Sequence, residues 1–402
     1  MRILMLTPYL PYPPSSGGQV RSYNLIKNLG RKHKITLFSL IKNESEKKYV
    51  RELEKFCQKV SVFRRPVKPW TIRNILRAGF GIYPFLVVRN LSEEEKKAVK
   101  EELKKEEFDL IHAETFYVMP HIPATNIPII LVDQTIEYQV YLHYANNFRV
   151  WPLRPLLHLD VSKLKFWETK FWKKANRVIA VSEADQKKML SLVPSLKVNI
   201  ISNGVGEDLV DIWKQKKVQL EKPIIFFQGN FSWIQNAEAA KILVEDIFPL
   251  IKKKIPTAVC WIVGQEANRV MALKREGVEI ITLLSSDIEG VKKAYRESTI
   301  LLAPLRGPGG TRLKILGAMA AGTPVVTTRV GIEGIGARDG IECLVRETPK
   351  EMARAVFKLL RNRDFYQDIK KNARKLVMEK YDWKKIALKL DKIYREVGSE
   401  KS

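Results

Sequence analysis

Short apolar runs alternate with segments of helical spacing along the whole chain. The runs are residues 3–6, 35–40, 60–63, 110–111, 129–132 and 178–181, and later 224–227, 259–263, 280–283, 300–303 and 325–327. Strands that alternate with helices in this way build βαβ units and mostly parallel sheets. The chain has 402 residues, more than a single core usually holds. The sequence therefore predicts an α/β protein with two Rossmann-like, doubly wound domains.

A polar, charged stretch at 204–223 interrupts this alternation and is the predicted linker. We place the first domain at 1–204 and the second at 205–382, followed by a C-terminal helix at 383–402 that crosses back to the first domain. Doubly wound domains hold their ligands in loops at the carboxyl ends of the strands. If those ends face each other, the cleft between the domains is the predicted site.

The formal net charge of +26 favours anionic partners, which include nucleic acid, an anionic membrane surface and phosphorylated ligands. No helix-turn-helix, zinc-finger or RNA-recognition pattern accompanies the charge, so a nucleic-acid partner is not predicted. No apolar run reaches the roughly 18 residues of a membrane span, and the amino terminus resembles a first strand more than a signal peptide. The three dispersed cysteines fit a reducing compartment, so we predict a cytoplasmic protein.

A glycine-rich loop in the second half gives the strongest signal for a binding site. The apolar run that ends at Ala303 leads into a loop with Gly309 and Gly310, and Arg312 and Lys314 follow where a helix should begin. Cations at that end oppose the helix dipole by roughly 0.3–1 kcal/mol each. The conflict disappears if an anion occupies the loop. The loop is predicted to form half of a phosphate site, and the alternative is an ordinary loop with two solvated cations.

A second loop near the amino terminus follows the same logic. After a proline-rich stretch, Gly17 and Gly18 open a predicted helix whose first turn contains Arg21. Bare backbone amides and a cation again meet at a helix start. The spacing differs from the Gly-x-Gly-x-x-Gly pattern of dinucleotide sites, which disfavours NAD. A plain turn is the alternative interpretation.

His112 closes the apolar run FDLIH, at a strand end where ligand groups lie, although a hydrogen-bonded structural histidine is the alternative. The chain has no Asp-x-Asp pair and no His/Cys cluster with metal spacing. We therefore predict neither a metal ion nor another cofactor.

Two segments mix aromatic and basic residues. Residues 67–90 could lie on an anionic membrane surface, and the alternative is a loop and helix packed on the domain with solvated cations. For residues 164–178, where aromatic residues recur near helical spacing, core packing is the preferred interpretation.

Taken together, these residues resemble the family 4 glycosyltransferases, which have the two-domain GT-B fold. The matching segments are RILMLTPYLPYPPSSGG (2–18), FDLIHAE (108–114), RVIAVSEAD (177–185), IISNGV (200–205), GNFSWIQN (229–236), PLRGPGGTRLKILGAMAAGTPVVTT (304–328), GIEGI (331–335) and YDWKKIA (381–387). The segment around GGTRLKIL is similar to a subgroup found in surface-polysaccharide and envelope pathways. The resemblance implies transfer of a sugar from a nucleotide-diphosphate donor, with retained configuration and no bound metal.

The resemblance also assigns roles to individual residues. Gly17 and Gly18 would approach the donor diphosphate from the first domain, while Arg312 and Lys314 would neutralise it and stabilise it as it leaves. Further donor-binding candidates are Arg21, Asn230, Gly264, Gly309, Gly310 and Thr311, with the nucleoside near Gly264 and residues 282–285.

The sequence departs from the family pattern at several positions. Gln134 occupies the place of a histidine close to the reacting sugar, and glutamine can bond a hydroxyl but cannot share a proton as imidazole can. Gly309 and Gly317 replace the two carboxylates of the Glu-x7-Glu pair, the second of which normally binds the donor ribose. Asn230 and its neighbours replace an Arg/Lys pair, and Glu333 is a candidate substitute for a lost carboxylate.

Glu114 stands where a second family histidine often falls, and with His112 it is a candidate for binding the acceptor or the sugar. The sequence therefore predicts a cytoplasmic, metal-independent, retaining glycosyltransferase with Gln134, Arg312 and Lys314 in catalytic roles. Its acceptor would be lipid-linked or a polysaccharide, and the enzyme could contact the inner face of the membrane peripherally. The alternatives are a non-catalytic nucleotide-sugar-binding relative and, on charge alone, a nucleic-acid-binding protein.

Overall fold

A computed structural model describes residues 1–65, 71–148, 150–216, 219–284, 286–307 and 312–400, and only the backbone of residues 207 and 208. Residue contacts divide the chain into a first unit, Met1–Ser202 with Lys384–Ser402, and a second unit, Asn203–Trp383. Each unit is built on one parallel sheet whose strands alternate with helices. The prediction of an α/β protein with two doubly wound domains is confirmed.

The first unit contains a sheet of seven parallel strands. These are β1 (Arg2–Thr7), β2 (Lys34–Ile41), β3 (Lys59–Arg64), β4 (Leu110–Glu114), β5 (Ile129–Asp133), β6 (Arg177–Ala180) and β7 (Val198–Ile200). Their order is β3-β2-β1-β4-β5-β6-β7, so the direction of winding reverses between β1 and β4. Every residue of β4 and β5 is buried, which explains why central strands of a parallel sheet give unbroken apolar runs.

Eight helices connect these strands. They are α1 (Gly17–Leu29), α2 (Val50–Glu54), α3 (Ile72–Phe80), α4 (Phe85–Val88), α5 (Glu93–Lys105), α6 (Glu137–Asn146), α7 (Arg154–Lys174) and α8 (Glu183–Leu192), with 3₁₀ segments at Glu44–Tyr49, Phe116–His121 and Trp151–Leu153. Helix α1 begins after Ser16, whose hydroxyl accepts the backbone N–H of Gln19. Ser92 and Ser182 cap α5 and α8 in the same way, which fixes where each helix starts.

The second unit contains a six-stranded parallel sheet in the order β10-β9-β8-β11-β12-β13. Its strands are β8 (Ile224–Asn230), β9 (Val259–Gln265), β10 (Val278–Thr282), β11 (Ile300–Ala303), β12 (Val325–Thr327) and β13 (Leu344–Val345). Its helices are α9 (Glu207–Gln215), α10 (Ile234–Ile242), α11 (Phe248–Lys254), α12 (Ile288–Glu297), α13 (Leu313–Ala321), α14 (Arg329–Ile332), α15 (Pro349–Arg361) and α16 (Arg363–Lys380). A π-helical segment, Leu243–Ile247, joins α10 to α11, and a 3₁₀ segment spans Ala267–Leu273.

The last helix, α17 (Trp383–Ser399), groups almost entirely with the first unit. The hydroxyl of Tyr394 lies 2.6 Å from Nδ1 of His112 in β4. A carboxylate oxygen of Asp391 lies 2.9 Å from Nε2 of His33, which precedes β2. These buried polar contacts attach α17 to the region around β2 and β4.

The prediction of a linker at 204–223 is wrong, because this stretch contains α9. Ile212 on α9 is almost fully buried in the core of the second unit, and Leu209 packs against that core. The charged residues of the stretch obscured a short amphipathic helix. Strands β7 and β13 were not predicted either, because they have only three and two residues.

The expected core packing of residues 164–178 is confirmed for Phe171 and Trp172, which are buried. It is wrong for Phe166, whose side chain is 59% exposed. Within the described part of the chain, none of the helices is both long enough and apolar enough to cross a bilayer.

Candidate functional site

The candidate residues follow the strands at which each sheet reverses its winding. In the first unit these strands are β1 and β4, and in the second they are β8 and β11. Ligands of doubly wound sheets bind outside the carboxyl ends of the strands at such a switch point. Gly17 and Gly18 follow β1, Glu114 ends β4, Asn230 ends β8, and Arg312 follows β11.

In the first unit, the side chain of Gln134 lies just beyond β5 and makes two hydrogen bonds. Its amide Nε2 donates to the hydroxyl of Tyr9 at 2.9 Å and to Oε1 of Glu114 at 2.6 Å. Tyr9 lies in the loop after β1 and Glu114 at the end of β4. The amide is therefore held by groups from two neighbouring strand ends.

Glu114 is a buried carboxylate that its neighbours keep ionised. Burial by itself would raise the pKa of Glu114, but the hydrogen bond from His112 and the positive charge of Arg21 outweigh it and hold the pKa below its usual value. Nε2 of His112 lies 2.6 Å from Oε2, and Nε of Arg21 lies 3.3 Å from Oε1. Both partners are themselves fully buried.

An ionised carboxylate can only accept hydrogen bonds, and this fixes the orientation of the Gln134 amide. The NH₂ group must face Glu114, so the carbonyl Oε1 points away from it. None of the described residues hydrogen-bonds Gln134 Oε1, and the residue is only half-buried. Gln134 thus offers an oriented acceptor that suits a hydroxyl group of a ligand.

The contacts of Glu114 continue through His112 to Tyr394 on α17. Nε2 of His112 faces the carboxylate and donates to it, and Nδ1 lies within hydrogen-bond distance of the Tyr394 hydroxyl. Burial raises the pKa of Tyr394 well above its usual value, so this hydroxyl keeps its proton. A continuous hydrogen-bonded chain of Tyr394, His112, Glu114 and Gln134 results.

The structure corrects three predictions of direct ligand contact in the first unit. Arg21 is fully buried, and its Nη1 donates to the backbone carbonyls of Ile201 and Ser202. His112 and Glu114 are also buried within the hydrogen-bonded chain. Their charges are paired inside the domain because buried charges need partners, and the contacts described for all three side chains lie within the first unit.

Gly17 is exposed at the first position of α1, where backbone N–H groups are free of helical partners. Gly18 has a packing role as well, because a Cβ atom there would lie 2.1 Å from the hydroxyl oxygen of Tyr9. The absence of a side chain at Gly18 allows Tyr9 to approach α1 and to reach Gln134.

In the second unit, Arg312 is the cap residue of α13, whose first turn has no acidic residue. Its Nη2 donates to the carbonyl of Gly307 at 2.5 Å. Its Nε is buried and has no hydrogen-bond partner among the residues that the structure describes. Burial lowers the pKa of Arg312 to about 10, while the nearby carboxylate of Glu333 raises it slightly. Arg312 is therefore a partly desolvated cation with an unused donor.

Lys314 lies two positions after Arg312, and its ammonium group is also partly withdrawn from water. Its Nζ donates to Oδ1 of Asn236 at 2.6 Å and lies 4.4 Å from the centre of the Phe227 ring. Burial, and then the charge of Arg312, lower the pKa of Lys314 well below its usual value. An anion at the start of α13 would offset the desolvation of both cations. The predicted Gly309, Gly310 and Thr311 lie outside the described residues.

Asn230 and Gly264 shape the ends of β8 and β9. Nδ2 of Asn230 donates to Gln265 at 2.9 Å, and Nδ2 of Asn236 donates to the carbonyl of Asn230 at 2.7 Å. Gly264 has a φ of +145°, and a Cβ atom there would lie 1.9 Å from the carbonyl oxygen of Gly229. Asn230 therefore fixes Asn236 beside Lys314, and Gly264 permits a close approach of two strand ends.

Gly317 leaves no room for the carboxylate that the family pattern places there. It is buried in α13, and a Cβ atom would lie 2.9 Å from Leu209 Cδ1 and 3.1 Å from the Tyr295 hydroxyl. That hydroxyl donates to the carbonyl of Lys314 at 3.2 Å. Glu333 is exposed at the end of α14, and its charge raises the pKa of Arg312.

Three residues of the hydrogen-bond networks around Gln134 and Lys314 were not predicted from the sequence. They are Tyr9, Asn236 and Tyr394. Tyr9 lies in the segment 2–18 and Asn236 in the segment 229–236. Both segments support the family resemblance, so both residues could have been considered as site residues. Tyr394 has no local signal, because its partner His112 is 282 positions away. Only the tertiary fold brings these two residues together.

Two family models match the chain, one over its first half and one over its second half. The model "Glycosyltransferase Family 4" matches residues 15–209, and the model "Glycosyl transferases group 1" matches residues 222–362. In Klebsiella pneumoniae, an uncharacterized 44.6 kDa protein in the cps region is 23% identical over 403 residues, covering 96% of this chain and 97% of that protein. An uncharacterized glycosyltransferase of Methanocaldococcus jannaschii is 27% identical over 245 residues, 54% of this chain and 60% of the relative.

Solved structures share the fold at low identity. Sucrose-phosphate synthase from Thermosynechococcus elongatus superposes with a TM-score of 0.71 at 16% identity, over the whole of both chains. Anabaena HepE in complex with UDP and glucose gives 0.64 at 15%, covering 98% of this chain and all of that one. WaaG, a glycosyltransferase involved in lipopolysaccharide biosynthesis, gives 0.66 at 15%, covering 98% and 99%.

The two parallel-sheet domains have the GT-B fold of these solved structures. The matches of the two glycosyltransferase models, to residues 15–209 and 222–362, show that this chain is a glycosyltransferase.

Proposed function

We propose that the enzyme transfers a sugar from a nucleotide-diphosphate donor to a lipid-linked or polysaccharide acceptor, with retention of configuration and without a bound metal. One observation carries the donor assignment. Arg312 and Lys314 are both desolvated at the start of α13, and the buried Nε of Arg312 lacks a partner among the described residues. Buried donors are normally satisfied, so this position suits an anion.

A diphosphate meets this requirement better than a single carboxylate, because it offers several oxygens to both cations and to the backbone N–H groups of the helix start. As the bond to the sugar breaks, negative charge grows on the departing diphosphate. Fixed cations in a water-poor setting stabilise that charge strongly. Arg312 and Lys314 would thus act on the leaving group as well as on donor binding.

Metal independence is proposed from the same two cations, which can supply the positive charge that a metal would otherwise provide. Among the described residues, no group of three or more His, Cys, Asp or Glu side chains is placed to hold a metal ion. Retention of configuration rests on the resemblance to family 4 alone.

Gln134 is proposed to bind a hydroxyl group of the reacting sugar through its free Oε1. The ionised Glu114 dictates that orientation, and the buried His112 and Arg21 keep Glu114 ionised. Because an amide cannot take up a proton at neutral pH, Gln134 contributes position and a hydrogen bond, not acid–base catalysis.

The acceptor class is supported by the names of similar proteins. One is encoded in the cps region of Klebsiella pneumoniae, and WaaG is described as involved in lipopolysaccharide biosynthesis. An acceptor of either kind would bring the enzyme to the inner face of the membrane, where a cytoplasmic protein could bind peripherally. HepE was solved with UDP and glucose, so uridine-diphosphate sugars are the first donors to test.

A non-catalytic nucleotide-sugar-binding relative is the second candidate. It is favoured by Gly317, where Leu209 and Tyr295 fill the space of a carboxylate that the family pattern uses to bind the donor. The two candidates differ in turnover, because a binding protein retains the donor intact.

The test is release of nucleoside diphosphate from a panel of UDP-, GDP- and ADP-sugars, with and without a membrane or polysaccharide extract as acceptor. We expect release from at least one donor, undiminished by a metal chelator. Tight binding without release from any donor would favour the non-catalytic relative. Loss of release on chelation would contradict metal independence, and inversion at the anomeric carbon of the product would contradict retention.

A further inference from the structure

Helix α3 and the turn after it expose large apolar side chains to solvent. Ile72 is 78% exposed, Phe80 91% and Ile82 68%. The buried residues of α3 are Asn74 and Ala78, so the helix presents most of its apolar surface outward. Contiguous exposed apolar surface of this kind usually marks an interaction site.

Helix α7 exposes a second apolar row. Leu156, Leu159 and Phe166 are between 58% and 65% exposed. Their spacing of three and seven residues places them along one side of the helix. Phe171 and Trp172 face the core, so the outward row is not a consequence of poor packing of α7.

The two exposed rows belong to one surface because α7 binds the turn after α3. Nζ of Lys163 donates to the backbone carbonyls of Ala78 at 2.8 Å and Gly81 at 2.9 Å. Nε1 of Trp167 donates to the carbonyl of Ile82 at 2.7 Å, and its ring packs against Tyr83 with centroids 4.5 Å apart. We define the α3–α7 surface by Ile72, Phe80, Ile82, Leu156, Leu159 and Phe166.

The charges on this surface have a single sign. Arg73 and Arg77 on α3, and Lys165 and Lys170 on α7, are exposed among the apolar side chains. The described part of α3 contains no acidic residue.

The acidic residues of α7 face inward. Asp160 accepts the backbone N–H of Phe85 at 2.9 Å, and the buried Glu168 accepts the N–H groups of Glu137 and Tyr138. The α3–α7 surface is therefore apolar and cationic at once.

We propose that the α3–α7 surface docks on an anionic lipid bilayer. A bilayer offers hydrocarbon to the apolar side chains and negative headgroups to the cations, the combination that interfacial helices use. A second copy of this chain fits less well, because a two-fold contact would bring the same cations against each other. The proposal deepens the proposed function and rests on it in one respect, since a lipid-linked acceptor lies in such a membrane.

Vesicle flotation of the full-length protein tests the proposal. Vesicles of phosphatidylcholine with 30% phosphatidylglycerol should carry the protein upward at about 0.15 M salt, and phosphatidylcholine alone should do so at least about 10-fold less well. The double variants Ile72→Ser/Phe80→Ser and Arg73→Glu/Arg77→Glu should each reduce partitioning at least about 10-fold.

Matched controls separate the surface from general effects of polarity and charge. Leu388→Ser removes a leucine of α17 that is 54% exposed, and Arg354→Glu/Arg361→Glu reverses two exposed charges on α15. Both controls should float like the unmodified protein. Equal flotation of the α3 variants and the controls, or no flotation of the unmodified protein, would overturn the proposal.

Two further measurements distinguish membrane docking from self-association and from the donor assignment. A dimer in sedimentation without vesicles that Phe80→Ser dissociates would assign the surface to a second copy and overturn membrane docking. Nucleotide-sugar binding by calorimetry in the same variants reports on the proposed function separately. Donor binding without flotation removes only the membrane proposal, whereas flotation without donor binding removes only the donor assignment.

Discussion

Gln134 receives its orientation from residues that a substrate does not touch. Tyr9 and Glu114 hold its NH₂ group, and the buried Arg21 keeps a positive charge next to Glu114. A largely buried hydrogen-bonded network of this kind fixes one side-chain position at the expense of adaptability. The carbonyl of Gln134 is therefore oriented as a hydrogen-bond acceptor before any ligand binds.

Replacing Gln134 by glutamate tests this account at the residue scale. In Gln134→Glu, a second carboxylate would face Glu114 across a hydrogen-bond distance, and like charges so close repel strongly. We expect kcat/KM to fall roughly 10–100-fold at pH 7.5. The loss should shrink as the pH falls, because a protonated glutamate again donates to Glu114.

The measurement is a pH profile of nucleoside diphosphate release for the unmodified enzyme and the variant. Gln58→Glu, which alters an exposed glutamine before β3, serves as the matched control. A variant as active as the unmodified enzyme at pH 7.5 would show that the amide of Gln134 has no part in the reaction.

The identity of the site residues was partly visible in the sequence. Arg312 and Lys314 were predicted because a cation at a helix start is a local conflict, and both are half-buried there. Arg21 and His112 were predicted as ligand contacts, yet both are buried. Sequence spacing shows that a residue follows a strand, but only the packing decides whether its side chain points to solvent or into the domain.

At the scale of elements, helix α13 shows how packing limits what the site can contain. Leu209 from α9 and Tyr295 from α12 close around Gly317. The hydroxyl of Tyr295 also bonds the carbonyl of Lys314, so the same contact supports the first turn of the helix. In this chain an interhelical contact occupies the place where the resemblance puts a carboxylate.

Restoring that carboxylate should therefore destabilise the second unit. In Gly317→Glu, a charged side chain would have to displace Leu209 and Tyr295 from a buried position. We expect a loss of roughly 2–4 kcal/mol in the free energy of unfolding, measured by urea denaturation. Gly317→Ala is the matched control, because a methyl group requires only a small shift of Leu209 and gains up to about 1 kcal/mol of helix propensity.

The outcome that contradicts this reasoning is a Gly317→Glu protein that is as stable as the Gly317→Ala control and binds the donor more tightly. That result would mean that the space around Gly317 opens readily. The carboxylate would then be missing for reasons other than packing.

The fold was more predictable than the site at this scale. Buried parallel strands such as β4 and β5 give unbroken apolar runs, and the periodic segments between them gave the helices. Helix α9 was missed because its apolar residues are few and lie among charges, although Ile212 anchors it in the core. The contact of α17 with β4 depends on residues far apart in sequence and has no periodic signature.

Over the whole molecule, we assign roles to two groups of positive charges. One is the pair of cations at the start of α13, and the other is the cationic part of the α3–α7 surface. A net charge of +26 also attracts anions over distances of about 8 Å, the screening length at physiological salt. Nucleotide sugars and anionic lipids would both benefit from that field.

The most direct measurement for the central claim, diphosphate binding at the start of α13, is calorimetric titration of the donor identified in the panel. Compared with the unmodified protein, Arg312→Ala should bind about 10–100-fold more weakly, since it loses one charge-assisted contact of roughly 1.5–3 kcal/mol. Arg312→Lys should recover part of the affinity, and Arg354→Ala, which removes an exposed arginine from α15, should bind normally. Equal donor affinity in Arg312→Ala and the unmodified protein would contradict the claim.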